Sequence, residues 1–223
     1  MTPVIWIALV VLFILIVYWE LWVCEGTHLG QRFVVWLYDL AAIRYDDIKQ
    51  FNTIWERKFL AEPVQQVLGQ LPDSLVLDVG SGTGRLARSL LQLPNVDATV
   101  ICLEPSSRMS KLGVARTPED SAPWLRAWSV PLPFPSDIFD LVASLEILEF
   151  TPNPKKTLNE LVRVLRPGGW LLVTNRVGWE APLILGKTCP RKQFPGVLES
   201  MGLVEVQGFR WQKTYDLIWA RKP

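Results

Sequence analysis

Residues 75–84 read LVLDVGSGTG, an apolar run that passes directly into three alternating glycines, Gly80, Gly82 and Gly84, and then into a helix-forming stretch from Arg85. A buried strand delivered into a helix this way needs positive-φ backbone in the turn, and it leaves unpaired N–H groups at the helix start beside bare loop backbone. A nucleotide-like ligand is implied. The spacing argues against a dinucleotide. A G-x-G-x-x-G frame would put its last glycine where Arg85 stands, and Asp78 occupies a place usually apolar in that motif.

From Leu75 onward, short β-rich runs alternate with amphipathic helices. Strands are expected at 75–79, 98–103, 124–128, 139–144 and 170–174, and helices near 84–93, 107–115 and 154–166. The alternation predicts an α/β fold with a doubly wound parallel sheet. The helix at 154–166 is the clearest: Asn153 is its N-cap, Pro154 its first turn, Leu158, Leu161, Val162 and Leu165 its apolar face, and Pro167-Gly168-Gly169 its stop. A helix near 194–201 and two strands, 203–209 and 214–220, complete the chain. The second strand ends at Glu104, whose carboxylate would project beside the glycine loop and can accept both hydroxyls of a ribose.

The N-terminal run PVIWIALVVLFILIVYWELWVC, residues 3–24, carries the single charge Glu20. As a helix it would reach roughly 33 Å at ~1.5 Å per residue, enough for a ~30 Å hydrocarbon core. A basic start and a small-residue cleavage site are both missing, so the run reads as a retained anchor rather than a cleaved signal. Glu20 is expected near one end, within reach of water and headgroups, and Trp6, Trp19 and Trp22 fall at the two ends, where indole rings favour the lipid boundary. Arg32 and Arg44 follow the helix and no basic residue precedes it, which orients the remaining chain toward the cytoplasm in a single-pass arrangement. Three parts result: an anchor at 1–24, a helical juxtamembrane or cap segment at 25–72, and the main domain at 73–223.

Lys plus Arg number 23 and Asp plus Glu 22, so no broad basic surface exists to favour nucleic acid as a partner. Cys24, Cys102 and Cys189 are scattered, without the spacing or the histidines of a metal site, so no metal is expected.

Taken together, VLDVGSGTG (76–84), ICLEP (101–105), LPFPSDIFDLVASLEILEF (132–150) and LNELVRVLRPGGWLLV (158–173) resemble the class I, Rossmann-like S-adenosylmethionine-dependent methyltransferases. The likeness is to the small-molecule group that includes ubiquinone and menaquinone biosynthesis enzymes. The resemblance covers residues 70–223 and implies a seven-stranded sheet with an antiparallel last strand. It implies that Asp78, Gly80, Ser81, Gly82 and Gly84 hold the methionine part of the cofactor and that Glu104 holds the ribose. Met109, in the helix after Glu104, would then cover the adenine, and Pro105 and Leu145 would belong to the same cofactor site. The family's adenine-binding Asp after strand three aligns with Trp128. This departure leaves two readings: Trp128 stacks on the base while Ser129 or the backbone at Val130 supplies the hydrogen bond, or cofactor binding is weak.

Methyl transfer from a sulfonium needs the nucleophile, methyl and sulfur in line in a dry site, and a base only if the acceptor is protonated. Glu146 and Glu149, at the edge of strand four, and Tyr45 in the cap are the candidate catalytic residues, followed by Tyr38 and Asp46. The expected acceptor is an apolar or membrane-dissolved molecule such as a lipid, a quinone-type ring or a small hydrophobic compound, with the bilayer itself as a partner. Two rival readings are a non-catalytic methyltransferase-like membrane scaffold and a membrane-tethered nucleotide-dependent oxidoreductase.

Overall fold

The computed structural model describes residues 3–69, 71–117 and 122–223. In chain order its helices and strands are α1 (Pro3–Tyr18), α2 (Gln31–Ala41), α3 (Tyr45–Lys49), α4 (Thr53–Glu56), α5 (Glu62–Leu68), β1 (Ser74–Val79), α6 (Arg85–Leu91), β2 (Ala98–Leu103) and α7 (Ser107–Arg116). Then follow β3 (Trp124–Leu125), β4 (Phe139–Ser144), α8 (Pro154–Val164), β5 (Leu165–Arg176), α9 (Phe194–Glu199), β6 (Val204–Arg210) and β7 (Tyr215–Arg221).

The seven strands form one sheet in the order β3-β2-β1-β4-β5-β7-β6. The first five are mutually parallel, and β7, the last strand, runs antiparallel between β5 and β6. Both faces of the sheet are covered, which is why its central strands read as unbroken apolar runs rather than alternating ones. On one face Leu77, Val142 and Leu171 pack with Leu158 and Leu161 of α8 and Leu198 of α9. On the other, Val76, Leu141 and Leu172 pack with Leu86 and Leu90 of α6 and Val64 of α5. Winding reverses at β1, which has β2 on one side and β4 on the other, and such a switch point opens a crevice at the carboxyl ends of the strands.

Two strands differ from the sequence expectation. β3 has two residues rather than five: Trp124 packs over Gly113, after which the chain leaves the sheet toward the crevice. β5 starts at Leu165, because Pro167-Gly168-Gly169 does not end the ladder. Leu165 already pairs with Phe139, the register shifts once before Leu141, and Gly168 N–H donates to the Lys222 carbonyl at 2.8 Å. The helix before it starts as the sequence indicates, with the Asn153 side chain accepting from Lys156 N–H at 3.0 Å.

Helix α1 continues through a wider π turn, Trp19–Val23, giving a 21-residue apolar helix almost free of protein contact. Its foot is seated on the domain. Glu20 is buried rather than reached by water, and it accepts from the His28 backbone N–H and pairs with His28 Nδ1, both at 2.8 Å. His28 stacks on Trp19, whose Nε1–H donates to the Leu183 carbonyl at 3.2 Å. Glu20, Cys24 and His28 bring donor atoms within 4.8 Å of one another.

Candidate active site

At the carboxyl end of β1 the chain turns through Gly80 and Gly82, both with positive φ, +73° and +57°. Gly80 is forced by space as well as by backbone angle, since a Cβ there would stand 2.4 Å from Ile147 Cγ2. The turn is fastened to the end of β2: Gly80 and Ser81 N–H both donate to the Leu103 carbonyl, and Gly82 N–H donates to Glu104 Oε2 at 2.9 Å. Glu104 Oε1 accepts from Ser106 N–H at 2.8 Å. Each carboxylate oxygen therefore takes one backbone N–H and keeps acceptor capacity toward the crevice.

The crevice encloses about 710 Å³ of space, its open mouth included. Gly80, Gly82 and Glu104 form one end. Pro105, Met109, Trp128, Ser129 and Leu145 form the largely apolar wall beside it, and Glu146 lies along the floor. Gln31, Val34, Val35, Tyr38 and Tyr45 of the cap also line the crevice, with Tyr45 next to Gly82. Asp78 and Ser81 border a smaller adjoining cavity that shares Gly80, Leu145, Glu146 and Tyr45. Gly84 packs beneath Trp124 and Thr117, and Val130 precedes a cis proline; neither lines the crevice.

This donor set fits an adenosyl ligand. A buried carboxylate with free lone pairs matches a ribose diol, and flat apolar walls from Met109, Leu145 and Trp128 match a purine. Burial pushes Glu104 up to about 7 against the pull of the Ser106 and Gly82 N–H groups, and burial likewise raises Asp78 to about 7. Between about pH 4.5 and 7 the folded state thus holds a proton on Glu104 that the unfolded chain releases. The stability this group contributes is full below 4.5 and is lost as pH rises toward 7. Hydroxyls donating to the carboxylate favour its charged form, so ligand binding near pH 6.5 is expected to release a proton and to tighten as pH rises to about 7. Calorimetry of S-adenosylhomocysteine in buffers of different ionisation enthalpy reads this directly. Glu104→Gln should remove Glu104's share of the release and weaken binding at least tenfold, on the scale of ~1.5–3 kcal/mol for a charged hydrogen bond. Identical proton release in both proteins would mean that the carboxylate does not meet the ligand.

The candidate acid–base residues separate. Glu146 borders the crevice, but its carboxylate accepts from Lys49 Nζ at 2.8 Å, Arg85 Nη1 at 2.7 Å and Gln212 Nε2 at 3.0 Å. Burial opposes its charge, yet Lys49 and Arg85 hold it below the usual carboxylate range, so it is a fixed anion and a weak base. Glu149 lies outside the crevice, where it accepts from the Tyr215 hydroxyl and sits 3.5 Å from Arg176; burial raises it. Tyr45 faces the loop at Gly82, and burial together with Glu146 keeps its hydroxyl protonated. Asp46 is taken up by Thr83, Arg88 and Arg116, which clamp the cap onto the loop and α7.

Sequence reading missed Val34, Val35 and Gln31 as crevice wall and Arg85 as the centre of a buried network. Arg85 reaches Glu56 through Nε at 2.6 Å and Nη2 at 2.7 Å, with Phe51 and Trp211 on its two faces at 4.4 and 4.1 Å. The usable signal was the helical spacing of Gln31, Val34, Val35 and Tyr38. Glu56, far away in sequence, gave none.

The sheet order and the crevice at its switch point are the Rossmann-like α/β arrangement of methyltransferase folds. Residues 77–173 match the family profile described as "Methyltransferase domain". Among curated proteins, the chain is 34% identical over 144 residues to an uncharacterised methyltransferase of Mycobacterium leprae, covering 63% of this chain and 48% of that protein. It is 32% identical to a demethylmenaquinone methyltransferase of Renibacterium salmoninarum, covering 61% and 56%. The chain thus spans about half the length of these relatives. Among solved structures, a SAM-dependent methyltransferase from Aquifex aeolicus superposes with a TM-score of 0.56 at 20% identity, over 76% of this chain and 98% of that one. The [4+2]-cyclase SpnF superposes at 0.59 and 20% identity, over 73% and 80%. These structures share the fold.

Proposed function

We infer that the protein is a membrane-anchored methyltransferase whose acceptor is apolar and dissolved in the bilayer, with the catalytic domain on the cytoplasmic side. A quinone-type ring, a lipid or a small hydrophobic molecule fits the reading, and the relative named for demethylmenaquinone supports the first of these. One observation supports it: the crevice is lined in part by α2, which begins eight residues after the end of the 21-residue apolar helix.

Bound S-adenosylmethionine supplies an electrophilic methyl group. The chain's residues supply position and dryness. The loop from Gly80 to Gly82 holds the methionine part and Glu104 the ribose, the apolar walls exclude water, and Val34, Val35 and Tyr38 orient an apolar acceptor. With Glu146 committed to ion pairs, the acceptors best suited are those whose nucleophile is already ionised at neutral pH, or needs no base.

The full chain in lipid vesicles, incubated with methyl-labelled S-adenosylmethionine and a membrane lipid extract, should label an extractable apolar product. Label found only in water-soluble products would overturn the acceptor class. Trp128 on the crevice wall, at the position where the family resemblance implies an adenine-binding Asp, favours the scaffold as second reading. That reading expects no labelled product from any fraction.

A further inference from the structure

Helix α2 has two unlike faces. At about 100° per residue, Gln31, Val34, Val35 and Tyr38 fall on one side and line the crevice. Trp36 and Leu40 fall on the opposite side, 52% and 56% exposed, and Ile43, in the 3-10 turn that follows α2, is 77% exposed. Exposed Arg32 and Arg44 border this stripe. A second segment, after β5, shows the same character: Trp179, Leu183 and Leu185 are exposed, Trp179 by 79%. This segment is fixed to the foot of the apolar helix by Trp19 Nε1–H on the Leu183 carbonyl and by His28 Nε2 at 3.1 Å from the Leu185 carbonyl. The two exposed apolar segments thus flank the point where the apolar helix meets the domain.

We propose that the outer face of α2 and the 179–185 segment form a docking surface for the lipid bilayer, so that α2 is a single-helix wall with membrane on one side and the methyl-transfer crevice on the other. This rests on the membrane reading of the N-terminal helix and goes beyond it, since a tether alone leaves the domain free in water. The occupant follows from continuity. The stripe begins within a short turn of an apolar helix suited to a bilayer, it carries the tryptophans that favour the lipid boundary, and its flanking arginines can bury their stems while their heads meet anionic headgroups. A helix is ~10 Å across, so an apolar molecule could pass round α2 from lipid to crevice without crossing bulk water.

The test uses the full chain in phosphatidylcholine vesicles containing phosphatidylglycerol, with Cys189→Ser removing the only half-buried native thiol. An environment-sensitive fluorophore is attached in turn at Leu12→Cys in the apolar helix, Leu40→Cys, Leu185→Cys, and Asp97→Cys at the amino edge of the sheet, and lipids carry nitroxide quenchers at both shallow and deep positions. The expected result is loss of most emission at the first three sites and none at Asp97→Cys. Quenching at Leu12→Cys with full emission at Leu40→Cys and Leu185→Cys would overturn the docking surface while leaving the anchor standing. Full emission at Leu12→Cys would overturn the anchor reading and this proposal with it. Oxidative cross-linking of Leu40→Cys copies without quenching would assign the face to a second copy of the chain and likewise overturn the proposal.

Discussion

Valine in place of Gly82 should abolish binding of S-adenosylhomocysteine in calorimetry, a loss beyond a hundredfold, while the domain still unfolds cooperatively. The position has φ +57°, a conformation that costs a β-branched residue roughly 1–2 kcal/mol or more. Space for the first carbon exists, because a Cβ would meet only Tyr45 at 3.6 Å. The methyls beyond it would stand between the loop and the cap, where the ligand must lie against bare backbone. A melting point lowered by roughly 2–10 °C, as ~1–3 kcal/mol implies for a chain of this size, combined with lost binding, separates a blocked site from a lost fold. Gly80→Ala provides the contrast: its Cβ would collide with Ile147, so stability and binding should fall together. Unchanged affinity in Gly82→Val would remove the loop from the cofactor site.

The second large effect is expected at Arg85. Arg85→Met removes the only cation facing Glu56 among the ion pairs of the described residues, and one of two facing Glu146, all in a region about nine-tenths buried. Breaking such a network strands carboxylates away from water, which costs about 3–5 kcal/mol, or roughly 6–20 °C in melting point. Cap residues Lys49, Phe51 and Glu56 all meet on this one guanidinium or its partner, so loss of Arg85 should also expose the α3–α4 region to limited proteolysis before the sheet unfolds. Adding Glu56→Leu to Arg85→Met removes the carboxylate with no remaining cation and should recover much of the stability. If the double variant is no more stable than the single one, the cost lies in lost packing against Phe51 and Trp211 rather than in stranded charge.

What the sequence made legible was whatever local chemistry fixes. LVLDVGSGTG encodes its turn because glycine takes those backbone angles without strain and, at Gly80, because no Cβ fits beside Ile147, and Asn153-Pro154 encodes a helix start through hydrogen bonds only a few residues long. Glu104 was legible by its place at a strand end. The rest depended on distant partners. Pro167-Gly168-Gly169 reads as a stop, yet Lys222 and Phe139 pair across it and keep it in the strand. Glu146 and Glu149 looked alike as candidate bases. One is held by Lys49 and Arg85 and the other by Tyr215 and Arg176, and none of these contacts leaves a trace in the local pattern. Glu20 looked like a water-facing end charge until His28, eight residues on, was folded back against it.

That folded-back foot has a mechanical consequence. A domain on a loose tether swivels over its membrane, whereas here Trp19, Glu20 and His28 lock the apolar helix to the domain as a bracket is bolted to a shelf. If the helix spans a bilayer, any lean it takes to match the hydrocarbon thickness is passed on to the domain. Its 21 residues extend ~32 Å, so thin bilayers would tip it and thick ones hold it upright. The aim of the crevice mouth then becomes a property of the lipid, and turnover on a bilayer-dissolved acceptor should vary with acyl chain length even where cofactor affinity stays constant.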